Sequence, residues 1–253
     1  MTATYSDLKD KRVFITGGGS GIGASIVEHF CKQQSEVYFI DINEEASNKL
    51  ISDCKNKQIA VPIFIKCDLL NIKELQNVIK KIITEKGPIE ILINSAANDE
   101  RHNIDDVTEE YWNERMNINL RHYFFTVQSV KQEMIKNKNG VIVNIGSASW
   151  MIGQGGMAAY TAAKSGVVGL TRSFARDLGE HNIRVNSVVP GWTITERQLE
   201  KWLTPESEAD MMKKQCIKKR LMPSDIAKAV LFFSSDQSSG CTNQSYVVDN
   251  GWL

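Results

Sequence analysis

The sequence predicts one α/β domain built on a doubly wound, seven-stranded parallel sheet with helices on both faces. Three observations carry this. Short apolar runs alternate with amphipathic helical patterns almost from end to end, as repeated βαβ units require. Most of the runs are continuous and rich in Val and Ile, the pattern of strands buried on both faces. No linker, repeat or low-complexity segment breaks the rhythm over 253 residues, so a single domain is expected over 1–253.

The elements follow in order. "RVFIT" (12–16) is the first strand and leads through a glycine-rich turn into a helical pattern over 21–34. "EVYFI" (36–40) and "PIFIK" (62–66) are the next strands, and a helix is expected over 71–86. "IEILIN" (89–94) precedes a long helical pattern over 108–137, and "GVIVNI" (140–145) precedes another over 158–179. "IRVNSVV" (183–189) is the sixth strand. Residues 193–222 then run polar and charged before a helix at 223–234 and a last strand, "QSYVVD" (244–249). A connection of that length inside a compact domain is usually functional, and a substrate lid is expected there. Its basic run "KKQCIKKR" (213–220) reads as a solvated helix face, with a charged partner as the alternative.

Composition narrows the class. Apolar residues make up 42% and charged residues 24%, and 30 Lys+Arg balance 30 Asp+Glu. No global field draws such a chain to nucleic acid or to an acidic membrane. The five cysteines (Cys31, Cys54, Cys67, Cys216, Cys241) are scattered and form no CxxC. They read as reduced cytosolic thiols, with no metal cluster expected. A signal peptide and an apolar run of about 18 residues are both missing, so a cytoplasmic protein is expected.

"VFITGGGSGIGAS" (13–25) is a strand, a glycine turn and a helix start. Gly17, Gly21 and Gly23 would allow a tight turn, close approach to a pyrophosphate and helix–sheet packing, while the helix N-terminus offers donors. A purely structural tight turn is the competing reading. Asp41, about 20 residues on, closes the next strand, where an acid can accept from adenosine ribose hydroxyls. Its charge repels a 2′-phosphate, which favours NAD over NADP; a helix N-cap is the plainer alternative.

In "AAYTAAKSG" (158–166), Tyr160 and Lys164 stand one helical turn apart on one face. A phenol is a poor base at neutral pH. A neighbouring cation would favour the phenolate and lower its pKa.

With these motifs in order, the sequence resembles the short-chain dehydrogenase/reductase family over essentially its whole length, and the implied fold is of the Rossmann type. The family's TGxxxGxG element matches Thr16-Gly17 through Gly21 and Gly23, and its adenine-contacting acid matches Asp68 in "KCDLL". Its fourth-strand Asn matches Asn94, and the Asn of its long helix matches Asn119 in "MNINL". The catalytic Ser matches Ser147, YxxxK matches Tyr160 and Lys164, and the PG element with its downstream Thr matches Pro190, Gly191 and Thr195. The resemblance implies a catalytic set of Asn119, Ser147, Tyr160 and Lys164. It implies cofactor contacts at Gly17, Ser20, Gly21, Ile22, Gly23, Asp41, Asp68, Leu69, Asn94, Ala96, Tyr160, Lys164, Pro190, Gly191, Thr193 and Thr195. Lys164 would also bond the nicotinamide ribose, and Asn119 would secure a water joining Lys164 to solvent. One departure stands out: "NSAAN" (94–98) puts Ala97 where many relatives carry Gly, so that turn cannot use glycine's positive φ.

Substrate clues lie around the expected pocket. Trp150 and Trp192 could pack on the C–H faces of a sugar. Asn98, Asp99, Arg101, His102, Gln154 and Ser147 could supply directional hydrogen bonds; caps and surface ion pairs are the plainer reading for Arg and His near a helix end. The pattern "AANDERH … ERMNINLRHYFF" resembles bacterial aldose 1-dehydrogenases acting on L-fucose, D-galactose or L-arabinose-type sugars. That implies oxidation of a monosaccharide at C1 to a lactone. The alternatives are a 3-oxoacyl-thioester reductase, docking its carrier on 213–220, and a nucleotide-binding regulator without catalysis. The helix at 157–178 lacks a polar outer stripe until Arg172, and the chain ends in Trp252 and Leu253. Both features lead us to expect a homotetramer.

Overall fold

The computed structural model describes residues 3–253. Its elements are β1 (Arg12–Thr16), α1 (Gly21–Lys32), β2 (Glu36–Asp41), α2 (Glu44–Asn56), β3 (Ile63–Lys66), α3 (Ile72–Lys86) and β4 (Ile91–Asn94). They continue with α4 (Glu109–Met116), α5 (His122–Asn137), β5 (Gly140–Ile145), α6 (Ala158–Leu178) and β6 (Ile183–Pro190). The chain closes with α7 (Glu196–Lys201), α8 (Pro205–Lys214), α9 (Pro223–Ser234) and β7 (Ser245–Val248). The seven strands form one sheet in the order β3-β2-β1-β4-β5-β6-β7, and every neighbouring pair is parallel.

The continuous apolar strands are explained by two cores, one on each face. Val13 and Ile15 of β1 point with Ile91 and Ile93 of β4 into a core shared with Phe30 of α1 and Val230 of α9. Phe14, between them, points the other way with Leu92, toward Ile79 of α3, Val130 of α5 and Leu178 of α6. Alternate residues of one strand therefore serve opposite layers, and neither set can be polar.

Helix starts are mostly capped by side chains. Asn43 caps α2, Asn71 caps α3 and Thr108 caps α4, each accepting from a first-turn N–H. At α1 the N-cap residue, Ser20, makes no such bond. One feature differs from the sequence expectation. The helix expected over 108–137 is divided into α4 and α5 by a π-helical turn, Asn117–Arg121, centred on Asn119. The connection over 193–222 holds α7, α8 and a parallel bridge between Thr193 and Leu221.

The strand order reverses between β1 and β4. Their carboxyl ends, with those of β5 and β6, open there onto one cleft of about 1130 Å³. This is the place where open α/β sheets bind ligands.

Candidate active site

One end of the cleft is walled by the turn between β1 and α1. Gly17 (φ +67°) and Gly21 (φ +55°) both occupy left-handed backbone. A Cβ on Gly23 would lie 1.8 Å from the Gly17 carbonyl oxygen, so only glycine permits the helix to start this close to the strand. Gly17, Ser20, Gly21, Ile22 and Gly23 line the cleft, and the first N–H groups of α1 carry no side-chain cap. Uncapped donors at a helix N-terminus suit a pyrophosphate. Asp41 ends β2 at the cleft wall, with Oδ2 accepting from Gly19 N (2.8 Å) and Oδ1 from Asn43 N (2.9 Å). Each carboxylate oxygen keeps lone-pair capacity for a ribose hydroxyl. Asp68, Leu69, Ala96, Pro190, Gly191, Thr193 and Thr195 complete this wall. These residues fit a dinucleotide.

Asn94 is a correction. It does not line the cleft, because its side chain is spent inside the sheet. Nδ2 donates to Asn144 Oδ1 (2.9 Å), and Oδ1 accepts from Thr126 Oγ1 (2.8 Å). The turn after it also tolerates Ala97 for a simple reason: no residue of 94–98 takes a positive φ.

The candidate catalytic groups meet at the end of β5. Ser147 follows the strand, its hydroxyl bonded to that of Ser149 (2.9 Å). Tyr160 and Lys164 reach the same place from α6, and all three line the cleft. Lys164 is 1% exposed. Its Nζ donates to Tyr123 Oη and to Ile145 O, both at 2.8 Å, and lies 5.8 Å from the Tyr160 ring centroid. Burial pushes the Lys164 ammonium down to about 7, and the Asp99 charge acts in the opposite direction.

The Tyr160 phenol is shifted upward, against the expectation that Lys164 lowers it. Burial is the leading cause; a hydrogen bond with Ser147 opposes it and the Asp99 carboxylate adds to it. The physical reason is that Lys164 is engaged with Tyr123 and Ile145, not with the Tyr160 oxygen. Asn119 is similarly occupied. Its side chain clasps the backbone of Asn98, accepting from Asn98 N (2.8 Å) and donating to Asn98 O (3.1 Å) and Arg115 O (2.9 Å). It does not line the cleft; what it positions is the loop that follows β4.

That loop faces α7 across the cleft mouth. Asp99 accepts from Arg197 Nε (2.9 Å) and Gln198 Nε2 (2.6 Å), and Gln198 Oε1 accepts from Trp192 Nε1 (2.7 Å). Arg197 also donates to Glu100 (2.6 Å) and Asn98 (3.3 Å). Asn98, Asp99, Arg101, Gln154 and Trp192 all line the cleft; His102 and Trp150 do not. His102 instead packs edge-on against Tyr111 and shares a hydrogen bond with its hydroxyl (3.1 Å). Trp150 sits on a short 3-10 turn at 148–150. Proximity along the chain did not fix the direction of either side chain.

The sequence reading missed Arg197, Gln198 and Tyr123. A six-residue helix has too few turns to show which face looks inward, and a tyrosine inside "RHYFF" reads as core. The basic run at 213–220 is not one helix face. It spans the end of α8 and the chain beyond it, with Lys214 paired to Asp210 (2.7 Å) and Arg220 to Glu208 (2.5 Å). Among the described residues, no His/Cys/Asp/Glu group could hold a metal ion, and no helix is long and apolar enough to cross a membrane.

A glycine-turned dinucleotide wall beside a Ser–Tyr–Lys cluster defines an oxidoreductase of the nicotinamide-dependent class. The family model described as "Enoyl-(Acyl carrier protein) reductase" matches residues 17–253. The chain belongs to the short-chain dehydrogenase/reductase family. It is 46% identical over 251 residues to a D-xylose 1-dehydrogenase of Caulobacter vibrioides, covering 99% of each chain. A probable galactose dehydrogenase of Rhizobium meliloti is 40% identical over 250 residues, covering 99% of this chain and 98% of that one. Among solved structures, the aldohexose dehydrogenase of Thermoplasma acidophilum superposes with a TM-score of 0.86 at 28% identity, covering 98% and 96%.

Proposed function

We propose that this protein is an NAD-dependent aldose 1-dehydrogenase that oxidises the anomeric hydroxyl of a monosaccharide to a lactone, with Tyr160 as general base. The observation that carries the reading is the polar wall beside the reacting groups: Asn98, Asp99 and Gln154 line the same cleft as Ser147 and Tyr160. A sugar offers several hydroxyls to such a wall, whereas an acyl chain offers it no hydrogen-bonding groups. The names of the two sugar-dehydrogenase relatives support the same class. The Asp41 carboxylate supports NAD over NADP, since a 2′-phosphate would meet its charge.

When bound, NAD supplies the hydride acceptor. The Ser147 hydroxyl holds the anomeric oxygen, and the Tyr160 oxygen takes its proton as C1 gives up hydride. Lys164 stabilises the phenolate through its positive charge. Asp99, Asn98 and Gln154 orient the remaining hydroxyls, and α7 with α8 forms the lid. The second reading, a 3-oxoacyl-thioester reductase, has the description of the matching family model in its favour. A catalytically silent nucleotide binder has no support from a cleft that keeps Ser147, Tyr160 and Lys164 together.

The test is steady-state turnover with NAD and NADP on D-xylose, D-galactose, L-arabinose, L-fucose and a 3-hydroxyacyl thioester. NADH formation with lactone release on one or more sugars is expected. Turnover of the thioester alone moves the assignment to the reductase. We propose further that the protein works as a cytoplasmic homotetramer. Supporting this are exposed small residues along α6 (Ala158, Ala162, Ser165, Gly169), exposed Phe124 on α5, and exposed Tyr246 and Leu253 at the β7 edge and the C-terminus.

A further inference from the structure

Lys164 is a buried cation without a buried counter-charge. Among the described residues no carboxylate comes within ion-pair distance of its Nζ, and Asp99 acts on it only through space. Uncompensated burial of an ammonium costs several kcal/mol, so the groups that solvate it decide whether it stays charged. There are two: the backbone oxygen of Ile145 and the phenol oxygen of Tyr123. Tyr123 is fully buried on α5, and its hydroxyl donates to the same Ile145 oxygen at 2.8 Å. With its own proton committed there, the phenol can only accept from Lys164.

We propose that Tyr123 is a positioning residue, whose phenol oxygen keeps Lys164 protonated and fixes it beside Tyr160. The inference rests on the reading of Tyr160 as the base. Tyr123 touches neither the cleft nor the Tyr160 oxygen, and acts through Lys164.

The charged and titratable groups facing Lys164 are Tyr123 and His122 from α5, Tyr160 from α6 and Asp99 from the loop after β4. His122 is neutral, held down at about 3 by burial and by the Lys164 charge, and so adds no competing proton near pH 7. Lys164 Nζ lies 5.8 Å from the Tyr160 ring centroid, so the two groups make one pair with four charge states. The active form carries ammonium and phenolate. With the phenol shifted upward and the ammonium downward, the singly protonated pair is mainly phenol with neutral lysine. Removing an acceptor from the ammonium therefore moves the first titration to lower pH, leaves the second in place, and makes the active form scarcer.

The test is Tyr123→Phe. Ile145 O keeps its bond from Lys164, so no carbonyl is orphaned, and a melting curve near that of the wild type checks the fold. In cofactor-free protein labelled with 13C-lysine, the Lys164 Cε signal is identified by its loss in Lys164→Arg. Its titration midpoint should fall by about one pH unit in Tyr123→Phe, the worth of a hydrogen bond to a charged group. In turnover, the acid limb of the kcat/KM profile should move to lower pH by about one unit, the alkaline limb should stay, and the maximum should be about tenfold lower. An unmoved Lys164 midpoint, or a profile lowered without displacement, overturns the inference. Tyr160→Phe is measured in parallel: if it stays active, the base assignment fails, while the Lys164 titration still decides the role of Tyr123.

Discussion

Asn94→Ala separates two roles that a strand-end asparagine can play. In the structure its amide is a strut under the active site. It donates to Asn144 of β5 and accepts from Thr126 of α5, while Asn144 donates on to Thr171 of α6 at 3.0 Å. All four residues are fully buried. The substitution leaves Asn144 Oδ1 without its donor, costing about 1–3 kcal/mol. Thr126 keeps bonds to the His122 and Tyr123 carbonyls, so its loss is small. The vacated amide volume adds about 1 kcal/mol. The sum is about 2–4 kcal/mol, within the range a folded domain survives. At about 2–4 °C per kcal/mol for a chain of this size, the melting temperature should drop by roughly 4–16 °C. Calorimetric melting gives that figure, and calorimetric titration gives NAD affinity, expected within about threefold of wild type because a group outside the cleft contributes little to binding. Collapse of NAD affinity with an unchanged melting temperature would refute the reasoning and return Asn94 to the cofactor contacts.

Three further outcomes are expected. Wild-type kcat/KM should favour NAD over NADP, and Asp41→Ala should narrow that ratio about tenfold or more, since it removes a like charge from the 2′-position; a wild type that prefers NADP contradicts the reading of this acid. Arg197→Ala removes bonds to Asp99, Glu100 and Asn98 that are partly screened and worth about 0.2–1 kcal/mol each. It should lower kcat/KM for the sugar by roughly 3- to 30-fold and weaken the salt dependence of KM, with the melting temperature lowered by about 1–12 °C; unaltered KM and salt dependence would remove α7 from the substrate site. Light scattering should return a mass about four times the 28.4 kDa chain, reduced by removal of Trp252 and Leu253, whereas a wild-type mass near 28.4 kDa overturns the assembly.

The sheet was legible because two-sided burial leaves a strong one-dimensional mark: every strand of the structure overlaps an apolar run. The glycine turn and the Tyr160–Lys164 pair were legible because each depends on spacing along one continuous element. What escaped depends on direction or on contacts between elements. The π-turn at Asn117–Arg121 inserts into a helix without breaking its apolar rhythm, so one pattern over 108–137 hid two helices. His102 and Trp150 lie near the cleft in sequence, but their rings turn elsewhere. Asn94 ends a strand as a ligand would, and its actual partners come from β5 and α5. Arg197 faces Asp99 across 98 residues of sequence, a pairing no local pattern encodes.

Asp99 ties α7 to the Tyr160–Lys164 pair. Its carboxylate works against deprotonation of Tyr160 and in favour of a charged Lys164. For the proposed role of Tyr160 as base, the first effect is a hindrance and the second preserves the cation that makes the phenolate accessible. Which effect dominates depends on how much negative charge Asp99 presents, and α7 sets that amount. With Arg197 on one carboxylate oxygen and Gln198 on the other, the charge is largely balanced at the cleft mouth. Gln198 is itself held by the indole N–H of Trp192, so the balance depends on a side chain of the cleft wall as well as on the lid. A free carboxylate in the same place would hold the phenol proton more tightly, because partial burial leaves little solvent to screen it. Seating of α7 therefore eases loss of the phenol proton while it weakens the support that Asp99 gives to a charged Lys164. In the proposed reaction, α7 and the Tyr160–Lys164 pair are thus joined through a single carboxylate.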